Sequence, residues 1–245
     1  MAINADQIIQ HIYTVNARRD LALQMGRLDS IQALQEWQCQ RLLTTHQDLN
    51  AQPEFADAMR FFVDELYGPK DFSQRDKDLT RVIPKLAAVL PEKALRALDD
   101  ALRLNALSFD LDSAMVEALL QLIDADTLQA SAINADLYAQ AYRQVNRQAE
   151  RVEQIAIVEQ LGLQLADVVH VRGISLLIKM ARKPAELAGV LTLHEFLAEG
   201  FSAFKQLGDV RLFLDPIISR ETAIMQALLA SDFQLKNNPL PQEMA

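Results

Sequence analysis

The chain has 245 residues, half of them hydrophobic, with a single cysteine and 24 basic against 33 acidic residues, for a formal charge of −9. A chain of that length can bury a core without staples; lone Cys39 rules out an intrachain disulfide framework and fits a reducing compartment. The acidic balance, with no concentrated Lys/Arg stripe, opposes phosphate backbones, so no nucleic acid partner is expected, and no run of about 18 apolar residues is present to span a bilayer, so no membrane partner is expected either.

Met1-Ala2-Ile3-Asn4-Ala5-Asp6 lacks a basic region followed by an apolar stretch, so no secretory signal is readable and a cytoplasmic location is expected. Only 7 Gly and 8 Pro punctuate the chain, which predicts long elements. Apolar residues recur at helical spacing in nearly every window, and no period-two run is bounded by turn residues, so the chain reads as all-α. The first helix is predicted from about Asp6 to Leu23, capped by Asn4 or Asp6, and a second carries Leu28, Ile31, Leu34, Trp37, Leu42 and Leu49. Gln52-Pro53 starts a third, in which Phe55, Met59, Phe62 and Leu66 share one buried face. Gly68 suits a left-handed stop and Pro69 forbids continuation; Ser73-Gln74-Arg75-Asp76 then has the form of a capped restart. Pro84 predicts a kink, and Leu90-Pro91 opens a helix running to about Ile123 with an interruption near Ser108-Phe109-Asp110.

The polar stretch from Asp124 to Asn134 is the best candidate boundary inside a single domain spanning residues 1–236. A long helix or helix pair follows from Asp136 to Met180. Its part from Ile155 to Met180 is apolar almost all round, which predicts a central position among about nine or ten packed, mostly antiparallel helices. Lys183-Pro184 and Gly189 punctuate what comes next, a helix carries Leu193, Leu197, Phe201 and Phe204, and the last begins near Asp209 or at Asp215-Pro216. Residues 237–245 read as a frayed, flexible tail. Ile3-Asn4-Ala5-Asp6 recurs as Ile133-Asn134-Ala135-Asp136, and Gln10, Val15, Asn16 and Gln24 recur at the same offset as Gln140, Val145, Asn146 and Gln154. A shared helix-start signature is favoured over a duplicated half, because the matching fades after one helix.

Few residues carry chemistry. Gln160, Gln164 and Asp167 lie along one stripe amid Ile, Leu and Val, and buried polar groups need partners, so the stripe should meet polar side chains of another helix, ordered water or a ligand. With His170 these are the candidate ligand-binding residues. Asp167 and His170, three apart, are also weak candidates for a metal, with Glu195 and Glu199 outside them; the paired carboxylate motif of helical metal sites is not repeated here, so a hydrogen-bonded pair inside the central helix is the stronger reading. His11 and His46 are expected at the surface, and Cys39 reads as a packed thiol. No nucleophile elbow, phosphate-cradling glycine loop or zinc-type His-Glu-x-x-His is present, so no catalytic residue and no cofactor are assigned. Abundant apolar helical surface with no catalytic constellation favours a non-enzymatic interaction or assembly protein, with a protein partner or self-association as a homodimer; the alternative is a ligand-binding bundle, even an enzyme, with a polar site inside it.

Phe61-Phe62-Val63-Asp64-Glu65-Leu66-Tyr67, followed by Gly68-Pro69-Lys70-Asp71-Phe72 and Arg75-Asp76, resembles the FFLEE (FFLEELY) motif proteins of bacteria. Val63 and Asp64 stand where that motif spells Leu and Glu, and Phe196-Leu197-Ala198-Glu199-Gly200-Phe201 with Ala203-Phe204 is also similar to the family. The resemblance implies a helical bacterial protein and no catalytic assignment. Physically the segment is a structural corner: Asp57, Arg60 and Asp64 form a charged solvent face, and Glu65 is placed to pair with Arg75 or Arg81 beyond the turn.

Overall fold

The computed structural model describes residues 5–63, 68, 77–84, 90–124 and 128–243. Eleven α-helices occur among them, with two 3-10 turns and no strand, as the periodicity predicts. They are α1 (Ala5–Gln24), α2 (Leu28–Thr45), α3 (Gln47–Asn50), α4 (Pro53–Phe61), α5 (77–84), α6 (Glu92–Leu119), α7 (Ala135–Val145), α8 (Gln148–Val168), α9 (Ile174–Leu187), α10 (Leu191–Gln206) and α11 (Val210–Leu229). Several starts sit where the sequence writes them. Pro53 is the first residue of α4, the Asn134 side chain accepts from the Leu137 backbone N–H at 2.9 Å, and Asp209 does the same for Arg211 at 2.9 Å.

The predicted central helix from Ile155 to Met180 is not one helix. α8 ends at Val168, Gly173 adopts φ +84, and α9 leaves in a new direction. α9 buries only one side, through Ile174 and partly Ile178, while Leu176, Met180 and Leu187 are 60%, 66% and 82% exposed. The central position belongs instead to α6, which packs against α1, α2, α7 and α8. α6 runs unbroken through Ser108, Phe109 and Asp110, because these residues serve tertiary contacts: Phe109 is buried, the Ser108 hydroxyl accepts from Gln154, and Asp110 pairs with Arg147 at 2.7 Å. Nor does Pro184 end α9, which continues to Leu187 and stops at Gly189, φ +68. Arg81 of α5 donates to the Ala188 and Gly189 carbonyls at 2.8 and 3.4 Å, satisfying acceptors that the helix end leaves open.

Three apolar clusters fill the interior. One joins α1, α2, α6, α7 and the end of α11 around Trp37, stacked on Tyr138 with ring centres 4.5 Å apart. A second gathers Phe55, Phe61, Phe62, Phe204 and Phe213 from α4, α10 and α11 and from the π-turn at Phe62–Val63, and a third packs Ile8 and Ile12 on Leu79, Ile83, Leu95 and Leu102. Two residues of the expected tail contact the helices. Leu240 is buried in the first cluster and Asn238 donates to Asp136 at 2.9 Å, because an apolar side chain among prolines still finds a slot once α7 is in place. The internal echo does not extend to conformation: Asn146 is left-handed, φ +47, and ends α7, while its counterpart Asn16 lies inside α1.

Of the corner motif, Phe61, Phe62 and Gly68 are described and buried. Asp64, Glu65, Leu66, Tyr67, Pro69, Ser73, Arg75 and Asp76 lie outside the described residues. Asp57 and Arg60 pair at 3.3 Å on the exposed side of α4, as the spacing predicts.

Candidate functional site

The predicted polar stripe of α8 meets α6, where its amide N–H groups find a carboxylate. Gln160 and Gln164, one turn apart, each donate to one carboxylate oxygen of buried Asp100 at 2.8 Å. Asp167 is exposed and pairs with Lys93 at 2.7 Å, and His170 is exposed beyond the end of α8, so these two do not form a pair inside a central helix. Glu195 pairs with Arg182 at 3.7 Å on the surface and Glu199 is exposed. Among the described residues no three of His, Cys, Asp and Glu gather to hold a metal ion. Together with Arg103–Glu153 and Gln154–Ser108, these contacts form a polar seam along two antiparallel helices, leaving the Gln164 carbonyl oxygen as a buried atom without a partner.

A different site lies on the far side of α8, between α2, α7, α8 and α11. Gln38, Arg41 and Leu42 come from one face of α2, Tyr138 from α7, Arg151, Gln154, Ile155 and Val158 from α8, and Leu214, Ile217, Ile218 and Glu221 from α11, around a cavity of about 100 Å³. The last two sets each follow steps of three, one and three residues, which align side chains on one face of a helix. Met59 and Phe62 close the apolar end, and His46, where α2 stops, closes the polar end.

That polar end is dense in charge. Arg41 donates to both oxygens of Glu221 at 2.5 and 2.7 Å, and His46 donates through Nε2 to the same carboxylate at 2.9 Å. Burial pushes the Glu221 carboxyl up, but the Arg41 charge and the hydrogen bonds from His46 and Arg41 outweigh it and hold the group down at about 2. Burial lowers the Arg41 guanidinium and Glu221 more than restores it. His46 is 1% exposed, contrary to the surface position expected for it, because the carboxylate of α11 gives its imidazole a buried partner. On the next residue Arg220 grips Asp48 with two bonds of 2.6 and 2.7 Å, fastening α11 to α3 from outside.

Arg151 is the exception to this pairing. It is 7% exposed, lies over the Tyr142 ring at 4.8 Å and donates to Gln154 at 3.1 Å, yet it makes no ion pair among the described residues, and its Nη2 has no hydrogen-bond partner. Arg41 Nε and His46 Nδ1 are also buried without partners. Asp112 lies beyond direct ion-pair distance of Arg151; burial pushes its carboxyl upward, against the hydrogen bonds it accepts from Gln35 and Gln38 at 3.0 and 3.1 Å and against the pull of the Arg151 charge. The pocket thus combines one direct ion pair, one guanidinium without a direct ion pair, two unpartnered guanidinium nitrogens, an unpartnered imidazole nitrogen and an apolar wall. Buried charges of this kind are costly unless something pairs with them. Cys39 is buried with its thiol 3.7 Å from the Val63 carbonyl, a packed position and not one of the pocket's walls.

None of the pocket's charged residues stood out in the sequence. The available signal was a single charge within an otherwise apolar helical stripe: Arg151 ahead of Ile155 and Val158, and Glu221 behind Leu214, Ile217 and Ile218. No curated protein and no solved structure matches the chain. A family model described as Domain of unknown function (DUF8198) matches residues 17–234.

Proposed function

The chain belongs to that family, and we propose that it is a non-enzymatic binding protein of the bacterial cytosol that holds a small organic carboxylate between α2, α8 and α11. The observation that carries this reading is Arg151, a buried guanidinium facing a cavity with its Nη2 unsatisfied and no ion-pair partner among the described residues. A guanidinium binds a carboxylate through parallel N–H···O bonds stronger than neutral ones. One carboxylate would pair directly with Arg151, with the unpartnered Arg41 Nε in the same polar end, and the ligand's carbon skeleton would lie against Met59, Phe62, Val158 and Leu214.

The test is calorimetric titration with acetate, propionate, benzoate and succinate. At least one is expected to bind saturably, and Arg151→Met to weaken it by about 10- to 100-fold, the range for a lost charge-assisted hydrogen bond. Because the substitution also removes a buried charge that has no direct ion pair, the unliganded variant should melt no lower than the parent. No binding by any of the four at millimolar concentration, or equal binding by the variant, refutes the reading.

A second reading, self-association, is supported by α9. Leu176, Met180 and Leu187 form a solvent-facing stripe edged by Lys179 and Lys183 on a molecule that is acidic overall. Light scattering should then give a dimer mass that Leu176→Lys/Met180→Lys reduces to the monomer; a monomer mass for the parent chain at all concentrations removes this reading.

A further inference from the structure

A second cavity, of about 130 Å³, lies at the opposite end of α8 from Arg151. Its walls come from α6, α8, α9 and α10, with Phe61 and Leu79 closing it, and every described lining residue is Gly, Ala, Val, Leu, Ile or Phe. No described side chain on its walls can donate or accept a hydrogen bond. Water in such a space needs two to four polar partners and would find none from these side chains, so an apolar guest fits these walls better than water does. Its size is near that of a cavity of about 150 Å³, lined by Leu, Ile and Phe, that takes up benzene.

The wall is built as well as bare. Gly200 lets the Phe61 ring lie directly on the α10 backbone: a Cβ there would stand 2.6 Å from Phe61 Cζ. Phe61 faces this cavity while its neighbour Phe62 faces the polar one, and Phe204 touches both rings at 6.4 and 5.8 Å, so the aromatic pair of the corner motif partitions the interior. Lys93 and Asp167, each next in the chain to a lining residue, tie α6 to α8 through an exposed ion pair. We infer that this cavity is a second ligand site, separate from the carboxylate pocket, which takes an uncharged apolar molecule the size of a single aromatic ring.

The test uses protein labelled with carbon-13 at Ile, Leu and Val methyls, titrated with benzene and followed by NMR. Saturable shifts of the Leu161, Leu165 and Ile178 methyls are expected, with Val158 and Ile217 of the polar pocket unmoved. Ala94→Phe should fill the space and weaken benzene binding by about tenfold or more if the ring seats as the helix face directs. Leu165→Ala, which enlarges the space, should instead admit toluene more readily than the parent does, so a poorly folded Ala94→Phe would not end the test. Absence of shifts at saturating benzene, or shifts confined to Val158 and Ile217, overturns the inference. Because benzene carries no charge, failure here leaves the carboxylate reading untouched, and failure of the carboxylates leaves this one untouched.

Discussion

Glu221 is the residue on which the polar pocket turns. Its carboxyl titrates at about 2 in the folded chain against an ordinary 4.5, so it contributes stability that is fully present above about pH 4.5 and is lost as pH falls toward 2, a span of about 3 kcal/mol. Asp112 acts in the opposite sense, since burial raises it and acid relieves that cost. Glu221→Gln is therefore expected to lower stability at pH 7 by about 3–5 kcal/mol, because Arg41 keeps a buried charge with no carboxylate. It should also flatten the fall in melting temperature between pH 5 and 2, measurable by circular dichroism; an unchanged acid slope refutes the assignment. Residues of this kind were poorly legible in the sequence. Gln160 and Gln164 announced themselves as polar groups on an apolar face, and the need for a partner was read correctly, yet the partner Asp100 sits 60 and 64 positions away on α6. Arg151 and Glu221 gave the same kind of signal in stretches where a single charge looks like an ordinary surface position.

Helix identity was much more legible than helix extent. Starts with a chemical cause were readable to within a few residues: Pro53 was placed outright, the helix expected from Asp136 is capped by Asn134, and of Asp209 and Asp215-Pro216 the cap is Asp209. The break between α8 and α9 was not, since Val169 to Arg172 continue the apolar rhythm and a lone glycine costs a helix only about 1 kcal/mol, too little to signal a stop against tertiary packing. Glycine matters at this scale in another way, where α10 crosses α4. Phe61 stacks on Phe196 with ring centres 5.5 Å apart and its edge fills the space a side chain at Gly200 would need. Gly200→Ala should cost about 1–3 kcal/mol through displacement of that ring, the usual range for overpacking, even though alanine is the better helix former. A melting temperature equal to or above the parent's contradicts this packing.

At the scale of the molecule, fold class followed from period alone, whereas which helix stands at the centre did not. Apolar content favoured the run through Ile155 to Met180, but α6 holds the centre with a mixed face because its Asp100, Ser108, Asp110 and Asp112 each find partners on surrounding helices. Leu240 belongs to this assembly. Leu240→Ala is expected to cost about 2–4 kcal/mol, as for a buried leucine elsewhere in a core; a loss below 0.5 kcal/mol, roughly the effect of a surface change, would show that the end contributes nothing. Finally, Arg41 and Glu221 are 180 positions apart, so the polar pocket exists only when the first and last thirds of the chain have met. Occupancy and global folding are then one thermodynamic event: a guest at 100 times its dissociation constant would add about 2.7 kcal/mol to the whole fold. On the carboxylate reading, thermal denaturation against a library of small acids should single out a compound that delays unfolding of every helix at once.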